Sequence, residues 1–326
     1  MKTPNVRKQH ATVPAVTGED LSPFAHDVLA GLARPRKSVP PQWFYDERGS
    51  ELFEAITELP EYYPTRTEIG ILEAHASDIG ELLGPDAVLV EPGSGSSLKT
   101  GIVLGAMERP AQYLAVEISP TAVDAAANRL RAQFPGLVVT SETGDFTQLD
   151  TLPHALPGKR RHLFFPGSTL GNFEPVAARA LLARFSRLLT ADGTILVGID
   201  LRKSLDVLLP AYDDAAGVTA AFNLNLLARI NRELGGTFEL SAFEHRVRYD
   251  MAEHRVEMHL VAKSAQRVRV LGRTFSFAAG ETIHTENSYK YARDGFSTLA
   301  ASAGLKIAHT WTDPQFWFAV VALRRG

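Results

Sequence analysis

The chain has 326 residues, enough for two domains or for one large domain with an elaboration. Its 34 Lys and Arg and 37 Asp and Glu leave a net charge of −3, and this balance argues against a protein that coats polyanions. The chain has no cysteine, which excludes disulfides, thiolate metal centres and a cysteine nucleophile.

The first twenty residues carry scattered charges and no apolar segment of the secretory type. We expect a flexible tail over residues 1–20. Further along, the apolar runs are much shorter than the roughly 20 residues that a bilayer requires, so they resemble buried strands. The sequence therefore predicts a cytoplasmic protein.

Between Asp86 and Asp200 short apolar runs alternate with longer segments of helical pattern. Ser119 is a plausible cap for one of these helices, with Pro120 at its first position. Such alternation is typical of parallel strand–helix units, whose right-handed crossovers give a doubly wound α/β sheet with ligands at the carboxyl ends of its strands. The predicted strands are AVLVE, QYLAVE, LVVTS, HLFFP and TILVGID.

The pattern changes after Asp200. Residues 203–236 are predicted to be helical up to the pair Gly235-Gly236. The alternating segments FEHRVRYD, HRVEMHLVAKSAQRVRVL and TFSFAAG follow and are typical of half-exposed antiparallel strands. We assign residues 21–65 and 203–288 to a second, smaller α+β domain.

The last segment predicts a helix that stops at Gly304, followed by two strands joined at Asp313-Pro314. This segment resembles the end of a class I methyltransferase sheet, which closes with a helix and a terminal hairpin. Residues 66–202 and 289–326 are therefore expected to form one Rossmann-like domain.

Four consecutive predicted strands end in glycines, acids or amides. If the sheet is parallel, these groups converge on one crevice, where glycines let the backbone approach a ligand closely. An acid about 20 residues after the first glycine turn is placed to reach a ribose. The strand ends are Glu91-Pro92-Gly93-Ser94-Gly95, then Glu117, then Gly144-Asp145-Phe146, and finally Gly167 to Asn172.

Three cofactors compete for this crevice. A nucleoside-triphosphate loop needs glycine directly before Lys99-Thr100, and a nicotinamide loop needs a third glycine at the same place, but Leu98 stands there. The pattern E-x-G-x-G fits S-adenosylmethionine, which has no pyrophosphate to bind.

Residues 43–68, WFYDERGSELFEAITELPEYYPTRTE, closely resemble the histidine-specific methyltransferase family, which includes the bacterial L-histidine Nα-methyltransferases of ergothioneine biosynthesis. This family transfers three methyl groups from S-adenosylmethionine to the α-amino group of histidine, giving hercynine. The resemblance covers roughly residues 25–326. It continues through PGSGSSLKT, GSTLGNFEP, AYDDAAGVTAAFNLNLLARINRELGG and HTENSYKY.

The resemblance implies three groups of site residues, which contact the cofactor, the reacting amine and the rest of the substrate. The implied cofactor-binding residues are Gly93, Lys99, Glu117, Asp145 and Phe146, the catalytic aromatic residues around the amine are Tyr45, Phe53 and Tyr62, and the substrate-binding residues are Gly167, Thr169, Asn172, Tyr212, Met258, Glu286 and Ser288.

The resemblance also implies roles within the substrate group. Tyr62 and Asn172 would orient the amine, and Tyr212 and Asn172 would hold the carboxylate. Glu286 and Ser288 would contact the imidazole nitrogens. Because these two residues are two positions apart, an extended segment would project both side chains to one face.

Other functions stay open at this stage. A few changes in the pocket would suit another amino acid or small amine, and the same fold could serve a catalytically silent ligand-binding protein or a dehydrogenase. The ten histidines show no metal-ligand spacing, so no metal site is predicted. We expect a monomer that acts on free L-histidine, with no nucleic-acid or membrane partner.

Overall fold

The computed structural model describes residues 21–94, 98–117 and 120–326, with only the backbone for residues 120–126. The predicted tail, the predicted cap at Ser119 and Gly95 of the glycine turn lie outside the described residues. The helix predicted to follow Ser119 is described from Pro120 onward.

A seven-stranded sheet forms the larger half of the described chain, and its central strands are buried along their whole length. Uninterrupted apolar runs suit strands that are covered on both faces by helices. Each of the five predicted strands between Asp86 and Asp200 is present, within one or two residues at either end. The sheet contains β2 (Val88–Pro92), β3 (Gln112–Glu117), β4 (Val138–Thr143), β5 (Arg161–Phe165), β6 (Ile195–Asp200), β12 (Leu305–Thr312) and β13 (Phe318–Arg325).

The strand order of this sheet is β12-β13-β6-β5-β2-β3-β4. The five strands from β6 to β4 pair in parallel, whereas β13 runs antiparallel to both of its neighbours. The order reverses between β2 and β5, so ligands are expected at the carboxyl ends of these strands. This topology confirms the predicted α/β fold, a doubly wound class I methyltransferase sheet with a terminal antiparallel hairpin.

Helices cover the sheet and build most of the N-terminal segment. Proline at the first position favours the starts of several of them, and the Ser22 and Asp46 side chains cap the first two. The helices are α1 (Pro23–Leu32), α2 (Glu47–Thr57), α3 (Tyr63–Ala74), α4 (Ala76–Leu83), α5 (Leu98–Ala106), α6 (Pro120–Gln133), α7 (Pro175–Leu188), α8 (Leu205–Leu208), α9 (Val218–Leu234) and α10 (Arg293–Ser302).

A second sheet has four strands and stands beside a separate two-stranded hairpin. The segment predicted as one long strand-like stretch is two strands separated by a turn after Ala262. The strands are β1 (Lys37–Ser38), β7 (Phe243–Asp250), β8 (Arg255–Ala262) and β11 (Thr282–Tyr289) in the sheet, and β9 (Gln266–Val270) and β10 (Arg273–Phe277) in the hairpin.

The helix predicted over residues 203–236 is interrupted, so that part of the prediction was wrong. Only α8 and α9 are helical, and a loop over residues 209–217 joins them. Pro210 lacks the N–H that would continue α8. The Asp214 carboxylate then caps α9, because its two oxygens accept from the backbone N–H groups of Val218 and Thr219 at 2.9 and 2.7 Å. The loop carries Tyr212 into the candidate site.

Buried apolar side chains form two groups on the faces of the large sheet and a third group around the smaller sheet. The buried members of the third group come from residues 24–63 and 208–283. We keep the two-domain division as a proposal on this basis. Within the described residues, no helix combines the length and apolar character needed to cross a bilayer.

Candidate active site

The cofactor residues predicted at the first three strand ends lie along one edge of the large sheet. The N–H of Gly93 donates to the Val116 carbonyl at 2.8 Å, and the N–H of Gly144 donates to the Glu117 carbonyl at 3.0 Å. Gly93 has a φ of +76°, and a Cβ atom there would lie 3.4 Å from the ring of Phe146. Glycine therefore keeps open the space between the first turn and this ring.

A short 3₁₀ turn holds Phe146 at this edge. Asp145 caps the turn, and its Oδ1 accepts from the N–H and the hydroxyl of Thr147 at 2.8 and 2.7 Å. The Phe146 ring packs edge-on against Phe165 and Phe173, with centroids 5.6 and 6.3 Å apart. The Phe146 ring, an exposed carboxylate at Asp145 and the acid Glu117 therefore stand at the ends of the neighbouring strands β3 and β4. This set of groups fits the adenosine part of S-adenosylmethionine.

Glu91 supports the glycine turn from below. Its Oε2 accepts from the hydroxyls of Thr100 and Tyr113 at 2.6 and 2.5 Å. Burial raises the pKa of Glu91 to about 7, and these two hydrogen bonds oppose the rise. Because Glu91 is only 3% exposed, we assign it to holding β2, β3 and α5 together beneath the cofactor edge.

Lys99 joins the predicted cofactor residues to the predicted substrate residues. Its Nζ lies 2.6 Å from Oε2 of Glu68, and the N–H of Gly167 donates to the same oxygen at 2.8 Å. A Cβ atom on Gly167 would lie 3.8 Å from Lys99 Nζ. The sequence gives no separate signal for Glu68, which belongs to the N-terminal motif but is wholly buried beneath the site.

Replacing Gly198 with alanine should disturb this junction. A Cβ atom there would lie 2.0 Å from Glu68 Oε1 and 3.1 Å from the Phe318 ring. We expect a loss of about 1–3 kcal/mol in the free energy of unfolding, which is typical of an overpacked core. As Glu68 moves, S-adenosylhomocysteine should bind about tenfold more weakly, as measured by calorimetry.

Gly70→Ala is the matched control for this substitution. Gly70 lies on α3 with Glu68, and nothing stands within 4 Å of the added methyl group. Alanine there should stabilise the helix by about 0.5–1 kcal/mol and leave cofactor affinity unchanged. Equal cofactor affinity in the Gly198→Ala and Gly70→Ala proteins would contradict the role given to Glu68.

The three predicted aromatic residues stand in one row of rings. Tyr45 and Phe53 have centroids 5.5 Å apart, Phe53 and Tyr62 6.3 Å, and Tyr62 and Tyr212 6.5 Å, all in edge-to-face geometry. Phe222 of α9 packs behind Tyr45 and Phe53. The row thus extends from Tyr45, which is 42% exposed, to the buried Tyr212.

The Glu286 carboxylate contributes to the electrostatic environment of this row. Burial raises the pKa of Tyr62 well above its ordinary value, and nearby Tyr212 and Glu286 raise it further. Partial burial also raises the pKa of Tyr45, with added contributions from Glu286 and Glu117. The electrostatic environment of Tyr45 therefore includes a predicted substrate residue and a predicted cofactor residue.

Glu286 and Ser288 both lie on β11, where they alternate with Asn287 as predicted for an extended segment. Glu286 pairs in register with Met258 of β8, so these two side chains share a face of the sheet. The pairing shifts between His284 and Glu286, which marks a bulge just before the site. Burial raises the pKa of Glu286 to about 7, and the positive charge of Lys290 opposes this rise.

Asn172 and Glu286 are both among the lining residues of one cavity. Asn172 ends the 3₁₀ turn Thr169–Asn172, and the Thr169 hydroxyl donates to the Pro166 carbonyl at 2.9 Å. The cavity has a volume of about 210 Å³. The cavity therefore brings together one predicted amine contact and one predicted imidazole contact, whereas its lining includes neither Tyr62 nor Ser288.

A buried ionic network supports the site from the end of β6. The Asp200 carboxylate accepts from the Tyr63 hydroxyl at 2.6 Å and from Lys290 Nζ at 2.7 Å, and it also binds Lys203. The backbone N–H of Asp200 donates to the Ser168 hydroxyl at 2.9 Å. The network therefore connects α3, the loop that bears Asn172, and the end of β11.

One group among the described residues has the spacing to hold a metal ion, a feature that sequence reasoning missed. Glu257, His259 and His284 place ligand atoms within 4.8 Å of one another. The Glu257 carboxylate is already bound by Arg248 and Arg255, with contacts of 2.5 and 2.8 Å. Two guanidinium groups oppose a further cation, so we assign these histidines to packing between β8 and β11.

Known proteins resemble this chain over nearly its full length. A family model described as histidine-specific methyltransferase, SAM-dependent, matches residues 24–325. The histidine N-alpha-methyltransferase of Mycolicibacterium smegmatis is 44% identical over 294 residues, which cover 88% of this chain and 90% of the relative. The protein of the same name from Mycobacterium tuberculosis is 41% identical over 304 residues, with coverage of 91% and 94%.

A more distant relative carries a different substrate in its name. The L-tryptophan methyltransferase trpM of Psilocybe serbica is 27% identical over 330 residues, which cover 91% of each chain. The family match confirms the resemblance predicted from the motifs, and S-adenosylmethionine is the methyl donor. The chain belongs to the histidine-specific, S-adenosylmethionine-dependent methyltransferase family.

Proposed function

We propose that the chain transfers three methyl groups to the α-amino nitrogen of free L-histidine and so forms hercynine for ergothioneine biosynthesis. The carrying observation is the carboxylate and hydroxyl pair, Glu286 and Ser288, on one strand, where the Ser288 hydroxyl lies 2.8 Å from the Tyr212 hydroxyl at the end of the row of aromatic rings. The two mycobacterial relatives named for this activity support the proposal.

The pocket offers complementary groups to each part of histidine. A carboxylate can accept a hydrogen bond from the imidazole N–H, and a hydroxyl can form a hydrogen bond with the second ring nitrogen. We assign these roles to Glu286 and Ser288, with Met258 packed against the ring. Asn172 and Tyr62 would bind the amine. Because the Tyr212 hydroxyl is already engaged by Ser288 and Lys290, we assign the carboxylate to Asn172. The backbone at Gly167 and Thr169 would shape the loop around the amine.

Bound S-adenosylmethionine supplies an electrophilic methyl group, so the protein must present a neutral amine in line with it. Burial among rings disfavours the ammonium form and lowers the pKa of the amine. We assign this task to Tyr45, Phe53 and Tyr62. The trimethylated product is a fixed cation, which aromatic faces attract by about 0.5–2 kcal/mol each.

The cofactor residues would bind the donor along the carboxyl edge of the large sheet. We assign the ribose hydroxyls to Glu117, the adenine to Asp145 and Phe146, and close backbone approach to Gly93. Lys99, which is held by Glu68, would bind the carboxylate end of the donor. We also propose that the protein acts as a cytoplasmic monomer, with its site between the two proposed domains.

A mass-spectrometric time course tests the function directly. The purified protein is mixed with S-adenosylmethionine and equimolar amounts of the twenty amino acids. We expect successive mono-, di- and trimethylation confined to histidine. Methylation of another amino acid would leave the assignments of fold and cofactor intact but would contradict the imidazole-binding role of Glu286. Absence of methylation on every amino acid would contradict the proposal.

A further inference from the structure

Lys290 has a buried ammonium group directly behind the candidate substrate residues. It follows β11, and its side chain is fully buried. Its Nζ lies 2.7 Å from Asp200 Oδ2, 2.7 Å from the Tyr212 hydroxyl and 2.8 Å from the Ser288 hydroxyl. An ammonium group has three protons and no acceptor, so these three contacts use its whole hydrogen-bonding capacity.

The contacts of Lys290 restrict the hydrogen bonds that the Tyr212 and Ser288 hydroxyls can make. Tyr212 and Ser288 must both accept from Lys290, and their oxygens are 2.8 Å apart. One hydroxyl therefore donates its proton to the other. The contact itself allows either direction, but a phenol is a stronger acid than an aliphatic hydroxyl, so we take Tyr212 as the donor. Both lone pairs of the Ser288 oxygen are then occupied, and its own proton is left for a ligand. Ser288 then acts as a donor.

The Glu286 carboxylate supplies the second hydrogen bond to an imidazole ring. A neutral imidazole has one N–H donor and one bare nitrogen acceptor. Glu286, two residues before Ser288 on the same face, can accept from the N–H while Ser288 donates to the bare nitrogen. A ring that lacks an acceptor nitrogen would leave the Ser288 proton unsatisfied, which costs about 1–3 kcal/mol in a buried site.

We propose that Lys290 is a positioning residue that fixes Ser288 as a hydrogen-bond donor and thereby selects substrates with an unprotonated ring nitrogen. This inference rests on the proposed function. Lys290 acts through Ser288 and Tyr212 and does not itself contact the substrate. When Lys290 is changed, the Asp200 carboxylate keeps Lys203 and Tyr63 as partners.

The test compares histidine with L-β-(2-thienyl)alanine, a five-membered-ring analogue without ring nitrogens. In Lys290→Met we expect KM for histidine to rise about 20-fold, while kcat and KM for the analogue change less than threefold. Calorimetry with S-adenosylhomocysteine should give an unchanged Kd, which also shows that the protein is folded. Lys306→Met, at an exposed lysine, is the matched control.

A double-mutant cycle separates positioning from general structure. In a Ser288→Ala background, Lys290→Met should raise KM for histidine by less than a further threefold. Equal losses for histidine and the analogue, or multiplicative effects in the cycle, would overturn the inference. Lys290→Gln is measured in the same way if the methionine variant does not fold.

The wild-type protein in the same assay distinguishes the two hypotheses. Failure of the wild type to methylate histidine would refute the proposed function, and this inference with it. A wild type that methylates histidine, combined with Lys290 variants of unchanged selectivity, would refute the role of Lys290 alone.

Discussion

Replacing Glu286 with glutamine is expected to lower kcat/KM for histidine about 100-fold and to stabilise the empty protein at pH 8. The activity falls because the imidazole N–H loses a charged acceptor, and hydrogen bonds to charged groups contribute about 1.5–3 kcal/mol. Binding of S-adenosylhomocysteine should stay within about twofold. Steady-state kinetics and calorimetry give the two values.

The stability change follows from the pKa of Glu286. Burial raises the pKa of this carboxyl to about 7, so its charged form is disfavoured in the folded protein. The resulting destabilisation begins as pH rises above the ordinary value for glutamate, grows up to about pH 7 and is constant beyond it. Glutamine removes this penalty. We expect a gain of about 1–3 kcal/mol at pH 8 and nearly none at pH 4, by urea denaturation.

Glu253→Gln is the control for both measurements, since Glu253 is exposed in the turn before β8. It should change neither activity nor stability. If Glu286→Gln instead weakened the binding of histidine and of S-adenosylhomocysteine equally, the residue would be a structural support. A loss of stability at pH 8 would show that its charge is compensated in the empty protein.

The large sheet was predictable because its signals are local. Each buried parallel strand is an uninterrupted apolar run, and the turn after it carries the glycine or acid, as at Gly93 and Glu117. The alternation that places Glu286 and Ser288 on one face was equally readable. Their roles came from the family resemblance, since period and spacing do not name a ligand.

The supporting charges could not be predicted from the sequence. Glu68 and Lys290 are 222 residues apart in the chain, with Asp200 between them, and the fold alone brings the three under the site. A charged residue in an otherwise ordinary segment is usually solvated, so nothing local marks these as buried. The prediction of one continuous helix over residues 203–236 was wrong because we gave the helical pattern more weight than the helix-breaking effect of Pro210.

Asp200→Asn is expected to cost about 3–5 kcal/mol in the free energy of unfolding at pH 7, because it leaves two buried ammonium groups without their paired carboxylate. These groups belong to Lys203 and Lys290, whose side chains are 4% and 0% exposed. Chemical denaturation measures the loss. Asp192→Asn, which breaks only the exposed pair with Arg160, should cost less than about 1 kcal/mol.

The pH dependence gives this prediction a second test. Burial alone would raise the pKa of Asp200, but Lys290 and Lys203 outweigh it and hold the pKa below its ordinary value. Its stabilisation is therefore complete above the ordinary aspartate pKa and is lost as pH falls through the lower folded value. The difference between wild type and Asp200→Asn should shrink in that acid range. A difference below about 1 kcal/mol at pH 7 would mean that Tyr63 and solvent suffice to hold both lysines, and Lys290 would then need no carboxylate to orient Ser288.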